Sequence, residues 1–439
     1  MKVFIYPTGR LVEPFLDPVN RISILDEPLG RQRERILEEL GADETSTVTA
    51  PVSIGSEPAL LIFDHCHMTV RTLKDFVGHG ESLAGQSAVL ALPRGPVTDF
   101  AGPLQDRVVE EVDGHERVLF DAFVVRDLEL DPEEEAAALR QRLLAVAERI
   151  TLEPKVEVRH VRWPPIRGER QGIDLPCSLW GAAHLSHWVH LLWCNRQAIE
   201  THLLELAAAE AEEGRRSFLH AGREIERISK RGAPPVYVGD NCRIHPTVLL
   251  ENVVLGDNVN LDLNSMVRSS VIGDKVNLGI SSTILGCVIG ANCHSLSDFC
   301  IIDSVTLQAS TLSNVKLQNS VIGREAFITT AVIFHELGMD GDIQVDVDGQ
   351  WVDSGRRILG GCVGHRCVLG VRSMFLGGRA VPNGYIVVMK PGEGLTKIPA
   401  GLPRHTSLYN ESGTLRLLSD YSGPAFAVDG DEQSSKESP

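Results

Sequence analysis

The string DHCH sets Asp64, His65, Cys66 and His67 in consecutive positions. Residues two apart on an extended chain share a side, so His65 and His67 could turn two imidazoles toward one metal ion, with Asp64 nearby. The string supplies no third ligand, and two imidazoles alone do not make a zinc site. His335 and Glu336 form a second pair, in which the imidazole is of the type that acts as a general base. Neighbouring side chains on an extended segment point apart, so adjacency alone does not couple them. His245, His294 and His365 lie on a repeating segment. Three imidazoles from adjoining subunits could hold zinc there, but no two of these three are close in sequence.

These residues sit in a chain of 439 residues, long enough for two or three domains. With 43% hydrophobic and 23% charged residues the composition is globular, and the formal charge of −17 argues against a nucleic-acid or anionic-membrane surface. The start, MKVFIYPTGRLVEP, has no signal-peptide apolar core, and no apolar run reaches the roughly 20 residues of a membrane helix. Nine scattered cysteines without a CxxC pair suit reduced thiols and a cytoplasmic location.

From Val238 to Val321 the chain repeats itself. VGDNCRIHPTVLLENVV, LGDNVNLDLNSMVRSSV, IGDKVNLGISSTILGCV and IGANCHSLSDFCIIDSV are seventeen residues each, and TLQASTLSNVKLQNSV has sixteen. Aliphatic residues recur about every sixth position, as in Leu255, Leu261, Val267 and then Ile272, Leu278, Ile284. Neither the helical period nor the strand period gives that spacing. A coil with three short flat faces does, each face sending one aliphatic side chain inward and Gly or Asn turning the corners. Each rung covers its neighbours, so several are needed. The pattern returns from Leu359 to Val387 after an interruption whose DVDGQ is a turn signal.

This periodicity is the hexapeptide-repeat pattern of the left-handed parallel β-helix. Around the interruption, VDVDGQWVDSGRRILGGCVGHRCVLGV resembles the late β-helix region of archaeal-type bifunctional sugar-1-phosphate nucleotidylyltransferase/amino-sugar acetyltransferases, relatives of N-acetylglucosamine-1-phosphate uridylyltransferase. Ser354, Gly355, Arg356, Arg357, Leu359 and Gly360 carry the closest similarity. The first half is similar more faintly. ILDEPLGRQRERILEELGADE looks like that family's turn and helix, PALLIFDHCHMTVRTLKDFVGHG like a strand ending at Asp64 and a helix, and Leu191, Leu192 and Asn195 match the helix pattern PWdLLeaN. The resemblance implies an α/β nucleotidyltransferase-like (Rossmann-like) domain over 1–205 and a helical connector over 206–235. The repeats place a left-handed β-helix over 236–400 with an excursion at 334–358, and the polar end of the tail over 401–439, AVDGDEQSSKESP, is expected to be disordered. A boundary falls at RGAPPV, residues 231–236.

By the same resemblance, Asp64 would bind Mg2+, Thr8, Gly9 and Arg10 would hold a phosphate, and Asn195, Arg356 and Arg357 would contact substrate. The later rungs would take acetyl-CoA or another acyl-CoA, His335 would serve as a relocated base, and the coil would form a homotrimer. Two departures count against nucleotidyl transfer. The family's phosphate loop resembles GxGTRxxP with a lysine beyond, and of this only Thr8, Gly9 and Arg10 remain. The second magnesium carboxylate is replaced by Val189 or His190. The coil also lacks the family's histidine, having Thr311 and Ser313 at the matching stretch. The expectation is therefore a protein of sugar-phosphate or nucleotide-sugar metabolism with impaired nucleotidyl transfer. The alternative is a non-catalytic regulator or scaffold, since subunits of the guanine-nucleotide exchange complex for a eukaryotic translation initiation factor combine the same two domain types without sugar chemistry.

Overall fold

The apolar runs KVFIY, ALLIF and AVLALP are continuous rather than alternating, as expected of strands covered on both faces. A computed structural model describes residues 1–421 except 84–85, 167–168, 215–216, 231, 391, 394–396, 398 and 401. The disorder expected for the end of the tail therefore concerns residues 422–439, outside those described. The chain forms two compact units, Met1–Val387 and Val388–Pro439.

The first unit begins with an α/β sheet. Its strands are β1 (Lys2–Tyr6), β2 (Glu44–Thr47), β3 (Ala59–Phe63), β5 (Ala88–Pro93), β6 (His115–Val125) and β7 (Glu148–Thr151), with the short β4 (Cys66–Met68) and β8 (Ala182–His184) paired outside it. The order is β7-β5-β6-β3-β1-β2, with a seventh strand, Val108–Val112, pairing with β6 off this path; all pairings of β6 are antiparallel and the others parallel. Alternate residues of each strand enter opposite layers. Val3, Ile5, Leu60 and Ile62 pack under α1 (Leu29–Glu39) and α2 (Val70–Ser82), a short α3 (Pro96–Phe100) follows β5, and Phe4, Tyr6, Leu61 and Phe63 pack with Leu139 and Leu143 of α4 (Ala136–Val146). In α1, Ile36 and Leu37 are buried as their spacing predicts. Gly41, at φ +71°, follows the helix in the left-handed conformation typical of a C-terminal cap.

The helix α5 (Trp188–Glu213) corrects the expected boundary at 205, which falls inside it. Its first half is buried nearly all round (Trp188, Val189, Leu191, Leu192, Trp193 and Ile199), because it lies between the sheet domain and the coil. Among the described residues the connector is not helical beyond Glu213. An antiparallel hairpin, Ser217–His220 with Arg223–Arg227, follows and pairs with Val236–Val238 of the first rung. It covers a strand edge that the end of a coil would otherwise expose.

The coil consists of three ladders of short parallel strands, an arrangement consistent with a β-helix. Leu255 pairs with Ile272 and Ile272 with Ile289, a step of 17 residues; Thr306 pairs with Ile322, the sixteen-residue rung. The predicted inward residues Leu261, Val267, Leu278 and Ile284 are all at most 1% exposed. One corner recurs at Asn241, Asn258, Lys275 and Asn292, each with φ between +55° and +59°. Ile322 resumes pairing at Val363, across the excursion. The excursion contains a hairpin, Gln344–Val347 with Gln350–Asp353, turned by Asp348 and Gly349, both at positive φ as a two-residue hairpin turn prefers. The last paired strand of the coil is Ile386–Val387, so the ladders stop short of residue 400. The second unit carries its own hairpin, Leu408–Glu411 with Thr414–Leu417.

Candidate functional site

In an open α/β sheet, ligands bind outside the carboxyl ends of the strands where the strand order reverses. Here the chain leaves β1, forms α1 and returns as β2 on one side of β1; β3 lies on the other side. The carboxyl ends of β1 and β3 therefore flank the switch point. The loop Pro7–Arg10 leaves the first, and Asp64 ends the second.

The structure brings Thr8 and Asp64 together. The Thr8 N–H and hydroxyl both donate to Asp64 Oδ1, at 3.1 and 2.6 Å, and the Asp64 N–H donates to the Tyr6 carbonyl at 2.9 Å. Beneath this turn the buried Arg33 of α1 donates to the carbonyls of Asp64 (2.8 Å) and Cys66 (3.2 Å). Burial lowers the pKa of this guanidinium, although Cys66 and Asp64 work to raise it. Arg33 was not singled out from the sequence, because nothing local marks it among the charged residues of α1. Arg10 is partly exposed and pairs with Asp106 Oδ2 at 3.3 Å. Arg140 reaches the same oxygen at 3.2 Å. Burial works to raise the Asp106 pKa, but Arg140 and Arg10 hold it below the usual carboxylate value. Gly9, at φ +66°, has open space where a Cβ would lie.

A phosphate cradle needs several converging N–H groups. In this loop Pro7 has no N–H, and that of Thr8 is turned onto Asp64. The residues do not fit a two-carboxylate magnesium site either. Val189 and His190 are both 0% exposed. His190 caps α5: its Nδ1 accepts the N–H groups of Ser186 and His187, and its Nε2–H donates to the Pro103 carbonyl. Burial pushes its pKa down to about 3. Among the described residues, no three-membered group of metal-ligating side chains includes Asp64.

Several expected contacts prove to be internal. Asn195 is 0% exposed; its Oδ1 accepts the Leu25 N–H, and its Nδ2 donates to the Ser23 and Leu191 carbonyls. Its hydrogen bonds join α5 to the strand before α1, leaving none for a phosphate. Arg356 lies over the rings of Phe100 and Trp193 and donates to the Phe100 carbonyl, so it docks the excursion onto the sheet domain. Arg357 donates to the carbonyls of Gly338 and Met339 within the excursion. His335 is exposed at the end of the strand Ile333–His335. Glu336, by contrast, lines a cleft of about 760 Å³ with Arg159, Arg196 and Gln318, and His335 does not. His65 and His67 also part. His67 borders a cleft of about 890 Å³ between α1, α2, α5 and the hairpin, whereas His65 turns inward toward Asp121.

One comparison bears on this arrangement. Residues 216–322 match the family described as the GMPPB C-terminal domain. The match spans the hairpin and the coil up to Ile322, and it points to the sugar-nucleotidyltransferase family. No curated protein matches the chain. No helix among the described residues is long and apolar enough to cross a membrane.

Proposed function

We infer that this protein binds a nucleotide sugar or sugar phosphate at the switch point of its α/β domain without transferring a nucleotide. The observation that carries this reading is the Thr8–Asp64 pair at the carboxyl ends of β1 and β3. Asp64 Oδ1 takes both bonds from Thr8, which leaves Oδ2 for a ligand hydroxyl, while Arg10 can give up a solvent-screened partner for a phosphate. Transfer fails for want of a triphosphate cradle and a second carboxylate. The coil is read as left-handed, hexapeptide-based and trimeric, with His335 as the base of any acyl-CoA-dependent step. No hydrogen bond orients that imidazole among the described residues.

Calorimetric titration with nucleoside diphosphate sugars, sugar phosphates and nucleoside triphosphates tests the reading. Binding of a diphosphate sugar or sugar phosphate is expected, weakened at least tenfold by Asp64→Asn, with no pyrophosphate released from a triphosphate. Pyrophosphate release, or no binding of any of these ligands, would sink it. The second outcome would favour the scaffold reading, which has its own support: Asn195, Arg356 and Arg357 are all spent on internal contacts.

A further inference from the structure

The cleft of about 890 Å³ between α1, α2, α5 and the hairpin is separate from the switch point: Thr8, Arg10 and Asp64 do not line it. Its volume falls in the range of roughly 300–1,000 Å³ common to small-molecule pockets. Much of its wall is apolar, formed by Leu25, Ile36, Met68, Ala198, Leu206 and Phe218. Three uncharged polar side chains from three elements interrupt that wall: Gln32 of α1, His67 of β4 and Gln197 of α5. We propose that this cleft binds an uncharged nucleoside, as a second site distinct from the phosphate-directed one at the switch point.

Three observations support the assignment. The first is unmet polarity. Gln32 Oε1 and His67 Nδ1 are buried without a hydrogen-bond partner, and most buried polar atoms have one. The Gln32 amide can turn about its last bond, so either of its polar atoms can be presented to the cleft. The second is the kind of polarity. A glutamine amide offers a donor and an acceptor side by side, which matches the edge of a base. Burial, with Arg33 nearby, lowers the His67 pKa to about 4, so its ring is neutral and offers one of each as well. The apolar wall suits the faces of a base, which carry no hydrogen-bonding groups. A free sugar, polar on every side, would leave that wall unmatched.

The third observation is charge, which argues against a phosphate here. Five carboxylates line the cleft (Glu27, Glu39, Glu205, Glu212 and Glu224) against the three cations Arg35, Arg71 and Lys74. Arg35 is already held by Glu27 and Glu39, and Arg71 by Asp75. An added phosphate would face net repulsion, whereas an uncharged nucleoside would not.

The test uses the full chain with methyl-labelled methionine. Adenosine, guanosine, cytidine, uridine and thymidine are titrated in turn by calorimetry and by methyl NMR, with the Met68 signal assigned through Met68→Leu. Met68 lines the cleft and so reports on its occupancy. The expected result is saturable binding of at least one nucleoside, with the Met68 signal moving along the same curve. Gln32→Leu and Gln197→Leu should each weaken that binding about tenfold, and circular dichroism checks that both remain folded. If a variant unfolds, the Met68 signal of the wild-type chain still decides. The assignment is overturned if no nucleoside binds, if binding leaves the Met68 signal unmoved, or if both folded glutamine variants bind as the wild type does. It is also overturned if Asp64→Asn, rather than the glutamine variants, weakens the binding, because the nucleoside would then lie at the switch point.

Discussion

Asp26 shows how one residue can join two domains. Along the coil, the Asp240 N–H donates to Asp257 Oδ1, and the Asp257 N–H to Asp274 Oδ1, rung after rung. At the next step, position 291 is Ala. Asp26 enters from the sheet domain, accepting the Ala291 N–H at 2.9 Å and the Gln308 side-chain amide at 2.6 Å. Burial raises its pKa to about 6, against the hydrogen bonds that favour the charged form. A carboxyl whose folded pKa is raised stabilises fully below its unfolded value near 3.8, and that contribution is lost as pH rises through about 6. Over that window the loss is on the order of 3 kcal/mol. Asp26→Asn removes this titration, so its melting temperature should gain on the wild type between pH 4 and pH 7. A gap that stays constant across that range would show that Asp26 does not titrate there. A second prediction concerns Asn195→Ala, which strips three buried bonds. It should lower stability by about 1–3 kcal/mol in a urea melt, and an unchanged midpoint would remove its tethering role. The sequence shows that Asp26 and Asn195 are polar residues near apolar runs. It does not show their partners, because those lie 265 and 170 positions away.

At the scale of elements, legibility follows how local the determining pattern is. The rungs were readable because inward side chains, corners and pairing all recur with one step along the chain. The same holds for the excursion hairpin, whose Asp348-Gly349 turn has a backbone requirement that few residues meet. The connector was misread because alanine- and glutamate-rich sequence favours helix, and nothing local says that strand pairing takes over after Gly214. A coil stabilised rung on rung should be most sensitive in its middle. Leu278→Ala, at a site 1% exposed, is expected to cost about 2–5 kcal/mol. Leu250→Ala, in the first rung where the side chain is only partly buried, should cost less than half as much. Equal losses in paired denaturation curves would contradict the rung-by-rung picture.

Across the whole molecule, stability is tied to neutral histidines. Burial lowers the pKa values of His187, His190 and His220, and His190 would lose its capping acceptor on protonation. The unfolded chain takes up protons below about pH 6.5 that these folded sites refuse, so stability is present above that pH and lost as pH falls. Asp26 and Asp303, whose pKa values burial raises, act in the opposite sense, but His67 and His184 are lowered by burial as well, so the histidines outnumber them. The melting temperature should therefore drop progressively from pH 7 to pH 4, and a flat profile would mean that these rings are already protonated or solvated. By itself the sequence determined a stack of strands with a seventeen-residue step, and through a family resemblance it led to an α/β domain with Asp64 at a strand end. Hydrophobic period and turn chemistry are properties of neighbouring residues, so they can be read along the chain. Only the tertiary structure decided what the polar residues do. It turned Asn195 and Arg356 into internal ties, placed Asp26 in the coil and separated His65 from His67. It also gathered His65, Asp121 and His184 from three elements. A hydrogen bond or a ligand set is defined by distances of a few ångströms between residues far apart in sequence, and those distances exist only once the chain has folded.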